Sequence, residues 1–298
     1  MKLTKYTPFI GMAFLLLLVQ LVAFALSEPF EANDFKAFSN PEATSNAVLW
    51  IIAVLAFTLF IFIIIRLNKR WIIQLIIFLT VASTFIYVFF ALFSAFLPVS
   101  INLLLTIILS AGLTLLLYKF PEWYVIDFVG IIIGAGASST FGISLAIRPA
   151  LVLLILLAIY DYIAVYRTKH MVALAEGVMD LKLPILLVFP KHLKYSFLTE
   201  KFDKQEREAF FMGLGDAVIP TVLVVSANTF MNTGYYTLPL IGAVNLPAVG
   251  AMLGTFLGFA VLMGFVIKGK PQAGLPFLNG GAILGFVIGS LAAGSLAF

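Results

Sequence analysis

Residues 150–166 read ALVLLILLAIYDYIAVY, an apolar stretch that holds one charged side chain, Asp161, and is closed by Arg167. A helix over it, at about 1.5 Å per residue, is about 26 Å long, close to the thickness of a bilayer's hydrocarbon. That length reads as a membrane span. The carboxylate inside it is the first candidate for chemistry, because an acid at that depth is costly unless it has a task or a partner.

Eight further runs of the same kind flank it, at 9–26, 46–65, 71–93, 100–118, 124–146, 210–230, 247–267 and 275–297. All nine are expected to be helices, since backbone groups facing lipid must be bonded within their own segment and the runs lack the alternation of barrel strands. The fold class is therefore an all-α membrane protein, a polytopic bundle of nine transmembrane helices. Composition agrees: 62% of the 298 residues are hydrophobic and 11% charged, against roughly 45–50% and about 25% in soluble domains. A water-soluble globule is excluded. The chain has no Cys, which removes disulfides, thiolate metal sites and a Cys nucleophile, and only two histidines, His170 and His192. Lys2 and Lys5 ahead of Ala23-Phe24-Ala25 give the first run some features of a signal peptide, but about 18 apolar residues are long for that role, so it is read as a span.

Alternating the breaks between two sides, with the N-terminus inside, puts sixteen of the 18 Lys and Arg on the inner side and leaves Lys36 and Arg148 outside. This bias predicts a cytoplasmic N-terminus and an external C-terminus. The net charge of +4 is thereby explained by orientation, and no nucleic-acid partner is expected. The chain divides into a six-span bundle over 1–166, an inner loop over 167–209 and a three-span bundle over 210–298. The outer loop at 27–45 carries Glu28, Glu31, Asp34 and Glu42 and reads as a solvated cap. In the long inner loop, Leu181 to Pro190 is apolar but too short to cross, and is expected to lie against the inner surface.

Glycines recur every four residues in three spans: Gly130 and Gly134; Gly250, Gly254 and Gly258; Gly281, Gly285 and Gly289. Such rows are smooth faces on which another helix can approach closely, so spans five, eight and nine should pack tightly.

Two acids lie clearly within spans, Asp161 and Asp216. Asp127 follows Glu122, Trp123 and Tyr124, an interfacial cluster, and is expected near the headgroups. Asp161 sits six residues before Arg167 and Asp216 nine after Arg207, which sets them about 9 and about 13 Å from the same membrane face. No Lys or Arg reaches that depth to neutralise them, so they are expected to face each other. Two such groups in a poor dielectric cannot both ionise easily and would share one proton. Aspartic proteases use that arrangement: the ionised acid takes a proton from water while the neutral one donates to the carbonyl oxygen. A proton or cation site of a transporter, or a hydrogen-bonded pair joining two helices, fits the same spacing. Around Asp216, Gly213-Leu214-Gly215 removes side-chain bulk, and Pro220 leaves the Asp216 carbonyl without a helical donor.

Tyr160-Asp161 in the sixth span and Gly213-Leu214-Gly215-Asp216 in the seventh of nine resemble the intramembrane aspartyl proteases of the presenilin and signal peptide peptidase family, its archaeal members in particular. Lys119-Phe120-Pro121-Glu122-Trp123 ahead of span five also resembles the presenilin sequence there. The resemblance implies a GxGD-type aspartic endopeptidase in which Asp161 and Asp216 hydrolyse peptide bonds through an activated water. The family's Pro-Ala-Leu motif falls at Ala273-Gly274-Leu275, followed by Pro276, with Ala and Gly in place of Pro and Ala. It further implies substrate contacts from Tyr160, Gly213, Leu214, Gly215, Leu275 and Pro276, and single-span transmembrane peptides as substrates. No metal or other cofactor and no obligate accessory subunit are expected, a homo-oligomer is left open, and an archaeal-type cell membrane is the expected location.

The alternative function is a secondary transporter or ion channel using the same aspartates, although no internal repeat relates 100–166 to 210–298. A serine protease would need a base near Ser138 and Ser139, and both histidines lie in the inner loop; a His-Glu-x-x-His metal motif is absent. A substrate helix must also unwind before it can be cut, and its freed backbone groups need partners. Strand addition to an edge around Leu181–Leu187 or near Leu275 would supply them.

Overall fold

The structure, a computed structural model, describes residues 6–67, 70–168, 186–192, 195–198, 208–238, 242–267 and 272–295. Lys2, Lys5, His170, residues 181–185 of the apolar patch, most of the 167–209 loop and the last residues of span nine lie outside them.

Among the described residues nine α-helices form: α1 (Thr7–Ala32), α2 (Ser45–Arg66), α3 (Arg70–Ser94), α4 (Val99–Lys119), α5 (Trp123–Gly142), α6 (Ile147–Ile163), α7 (Leu214–Phe230), α8 (Leu246–Val266) and α9 (Leu275–Ala292). Among the described residues eight apolar helices are long enough to cross a membrane, α6 counted together with the π-helical turn that carries it to Arg167, and α7, with 17 residues, is the shorter one. It is short because the first residues expected in span seven are a strand. Leu186–Pro190 (β1) pairs antiparallel with Ala209–Gly213 (β2), and a second hairpin joins β3 (Tyr235–Leu238) to β4 (Gly242–Asn245). The bundle is thus not purely helical: the ladder with β1 satisfies the inward-facing backbone groups of 209–213, and the others point away from β1.

The described part of the apolar patch, Leu186–Pro190, is inside the protein. Leu187 and Val188 are fully buried, β1 packing against α1 and α5. The acidic loop is shorter than expected because α1 continues through Glu28 and Glu31 to Ala32. What remains of it is tied down, Ala37 N–H donating to Ser144 Oγ at 2.7 Å and Ala146 N–H to the Pro41 carbonyl at 3.0 Å.

Every residue of α7 from Ala217 to Ala227 is buried. A helix apolar on all sides belongs in the centre, and α1, α5, α6, α8 and α9 pack around it. By contrast α2 and α4 turn large apolar side chains outward, Leu59, Phe62, Leu104 and Ile107 among them, as lipid-facing helices do. Hydroxyls and amides join the inner helices. Ser139 Oγ donates to the Ala23 carbonyl at 2.7 Å, Ser226 Oγ to Leu145 at 2.6 Å and Asn279 Nδ2 to Leu154 at 2.9 Å. Ser138 Oγ donates within its own helix, to the Gly134 carbonyl at 2.7 Å.

The glycine rows bring α8 and α9 into backbone contact. A Cβ on Gly254 would overlap the carbonyl oxygen of Gly281, and one on Gly285 that of Gly250. On α5 the row takes side chains instead, a Cβ at Gly134 falling 3.1 Å from Leu214 Cδ1. The α8–α9 pair is therefore one rigid slab, and it sets where Leu275, at the head of α9, can sit.

Candidate active site

Asp161 lies three residues before the π-turn Ala164–Thr168 that ends α6. It is 8% exposed. Its Oδ2 accepts the N–H of Leu275 at 3.0 Å. That donor is among the first N–H groups of α9, which have no partner within their own helix, so the acid satisfies a helix end that would otherwise be orphaned.

Asp216 stands in the first turn of α7. It is half-buried and lies, like Asp161, against the segment that leads into α9. Between them runs the segment ahead of α9: a Cβ added to Gly274 would lie 2.8 Å from Asp216 Oδ2, while the next residue holds Asp161. The sequence puts Gly where the family motif has Ala, and here the missing methyl is what leaves the Asp216 carboxylate its room. A cavity of about 130 Å³ opens beside Asp216, lined by β2 from Phe210 to Gly213, by Gln272 and Gly274, and by side chains of α1 and α8.

The other expected site residues are distributed unevenly. Gly213 is adjacent, a Cβ there coming within 3.5 Å of Asp216 Oδ2. Gly215 is open, with nothing within 4 Å of where a Cβ would be. Leu214 instead packs inward against Gly130 and Gly134 of α5. Tyr160 is half-buried beside Asp161. Pro276 faces an apolar groove of about 370 Å³ between α6 and α9, walled by Ile155, Ile159 and Tyr162.

Several participants escaped the sequence. The π-turn, a form that recurs at functional sites, brings the Tyr166 hydroxyl 2.6 Å from Gln272 Oε1, and Ala273 N–H reaches the same oxygen of Tyr166 at 3.4 Å. The end of α6 is thus strapped to residues 272–275 at two levels. No pattern in the sequence announced this. Asp127, in the second turn of α5, is 4% exposed and accepts the N–H of Val188 at 2.7 Å, a partner that the sequence did not announce. The β2 strand beside Asp216 did leave one signal, the glycines at 213 and 215 that interrupt the apolar run.

Among the described residues no group of three or more His, Asp or Glu could hold a metal ion.

Fold and site together define a polytopic helical membrane protein with two acids meeting near one end of its bundle. The family model described as signal-peptide peptidase, presenilin aspartyl protease matches residues 13–295. A presenilin family intramembrane aspartate protease solved in a C222 crystal superposes with a TM-score of 0.74 at 41% identity, covering 96% of this chain and 100% of that one. A structure of a presenilin family intramembrane aspartate protease in a P2 crystal gives 0.72 at 40% identity, covering 97% and 100%. The search of curated proteins gave no match. The chain belongs to the signal-peptide peptidase and presenilin family of intramembrane aspartyl proteases. Membership sets aside the transporter and channel reading.

Proposed function

We propose that Asp161 and Asp216 are the catalytic pair of this protease and that its substrates are single-span transmembrane peptides, cut without an obligate accessory subunit. One observation carries the assignment: the two carboxylates, from α6 and α7, converge on the Gly274–Leu275 segment.

Sharing one proton, the pair can do both halves of the work. The ionised carboxylate removes a proton from water as its oxygen bonds to the scissile carbonyl carbon, and the protonated carboxyl gives its proton to the carbonyl oxygen. A neutral gem-diol results. In its collapse the acid that gained a proton delivers it to the leaving nitrogen, the C–N bond breaks, and the other acid recovers a proton from the diol.

The unwound substrate extends the hairpin along the edge of β2 that faces away from β1, where Gly213 adjoins Asp216. Small residues there support the reading, since a peptide backbone needs close approach. The Lys- and Arg-rich end of the bundle, near which both acids lie, is the cytoplasmic one, and the protein works in a cell membrane of archaeal type.

The test is a cleavage assay on a single-span peptide with purified protein in lipid. Wild type should cut it, and Asp161→Asn and Asp216→Asn should each remove the activity while the protein stays folded. Cutting by either variant at the wild-type rate overturns the assignment.

A further inference from the structure

A third buried acid has no part in that chemistry. Asp127, in the second turn of α5, keeps Oδ1 on Val188, while its Oδ2 is buried with no partner among the described residues. A carboxylate held at this depth with one oxygen unsatisfied is costly, and the bond it does make has a specific place in the hairpin.

In an antiparallel ladder the backbone groups of successive residues point alternately toward and away from the partner strand. Lys191 N–H donates to the Glu208 carbonyl at 2.9 Å, so in the register of β1 with β2 the inward residues of β1 are Leu187 and Phe189. Val188 and Pro190 point away. Pro190 has no N–H, and Asp127 occupies that of Val188. The outer edge of β1 is therefore closed to a further strand, which leaves the β2 side, next to Asp216, for growth of the sheet.

The same helix grips the chain beyond β1. Glu122, at the N-cap of α5, accepts the Ser196 hydroxyl through Oε1 at 2.7 Å and the Phe197 N–H through Oε2 at 3.0 Å. Gly130, further along, lets Leu187 lie 3.2 Å from where its Cβ would be. The start of α5 is a mount for the hairpin, and Asp127 supplies a bond to its first strand.

We propose that Asp127 is a positioning residue for cleavage: by accepting the Val188 N–H it closes the outer edge of β1 and fixes the hairpin on α5, and so sets the register in which a substrate strand on β2 meets the catalytic pair. The inference rests on the strand-addition reading above.

The experiment measures KM, kcat and, by mass spectrometry, the bonds cut in a single-span peptide by purified full-length variants. Asp127→Leu should raise KM about tenfold, leave kcat within about threefold and spread cutting over neighbouring bonds. Asp127→Asn keeps an acceptor for Val188 and should hold KM within about threefold, with the wild-type cut pattern. If Asp127→Leu fails to fold, Val188→Pro removes the donor instead, on the side away from β2, and should reproduce the raised KM and scattered cuts. Wild-type KM and cut pattern in Asp127→Leu or Val188→Pro overturns the proposal, and so does Asp127→Asn behaving like the leucine variant. A wild type that makes no cut at all brings down the proteolytic reading and this inference with it, an outcome separate from either of those.

Discussion

The main-chain N–H of Leu275 lies 3.0 Å from Oδ2 of Asp161, joining the first residue of α9 to the last turn of α6. Since α9 is locked to α8 through glycine backbone contacts, this bond references one acid to a closely packed pair of helices. The other acid is referenced to the same segment by contact, with Gly274 against its carboxylate. Neither aspartate is positioned by its own helix alone. A short stretch, 272–275, sets both, which explains why a motif remote in sequence from either acid matters to them.

Asn in place of Asp161 or Asp216 keeps shape and hydrogen-bonding reach but cannot exchange the proton. With the two acids as the proposed catalytic pair, each single variant should lower kcat by about 10²–10⁴-fold, and the double variant little more, as for groups acting as a unit. Removing a charge from a buried pair should leave thermal stability unchanged or raise it. Kinetics on the purified variants, with thermal unfolding as the fold control, checks both statements.

Gly274→Ala puts a methyl 2.8 Å from Asp216 Oδ2. The obstructed atom is the free end of a side chain, so the carboxylate swings aside and the fold is hardly disturbed. Misplacement at a reacting group costs rate out of proportion to its size: kcat should fall about 10–100-fold with the melting temperature close to that of wild type. A kcat equal to wild type would show that Asp216 has slack the geometry does not suggest.

The nine helices were legible because lipid imposes a crude rule, long apolar runs with internal backbone bonding, that a single sequence displays openly. Asp161 and Asp216 stood out as charges breaking it, and the rows through Gly254 and Gly285 as helix-packing surfaces. What stayed hidden depends on pairing between distant segments. Ala209–Gly213 is as apolar as the helix it precedes, and short apolar runs carry no periodicity that separates strand from helix; its partner β1 decides the matter. The partner of Asp127 was hidden for the same reason. The acid's neighbour Tyr124 is exposed, and only the placement of β1 over α5 turns the acid into a buried acceptor.

Gly254→Val should be severely destabilising, because the side chain would have to displace the Gly281 carbonyl and part α8 from α9. The loss should be about 3 kcal/mol or more, at the upper end for overpacking. Gly112→Ala on α4 is the control: nothing lies within 4 Å of its Cβ position, so removing a helix glycine should stabilise by about 0.5–1 kcal/mol. Thermal unfolding in one detergent compares the two, and equal melting temperatures would contradict the packing described.

Tyr166→Phe removes the phenol that ties α6 to Gln272 and Ala273 while keeping the ring. Tyr166 is 40% exposed, so the bond competes with water and its loss should cost stability only about 0.5–1 kcal/mol. The effect on rate should be larger than that figure suggests. Residues 272–274 would then be held at one level instead of two, and the segment that crowds Asp216 would sample positions in which the pair is misaligned. A fall in kcat of about three- to tenfold is expected. Gln272→Ala breaks the same strap from the other side and should do likewise, and combining the two should add little, since they delete one interaction. Fully additive losses in that double-mutant cycle would mean the strap is not the route by which Tyr166 acts.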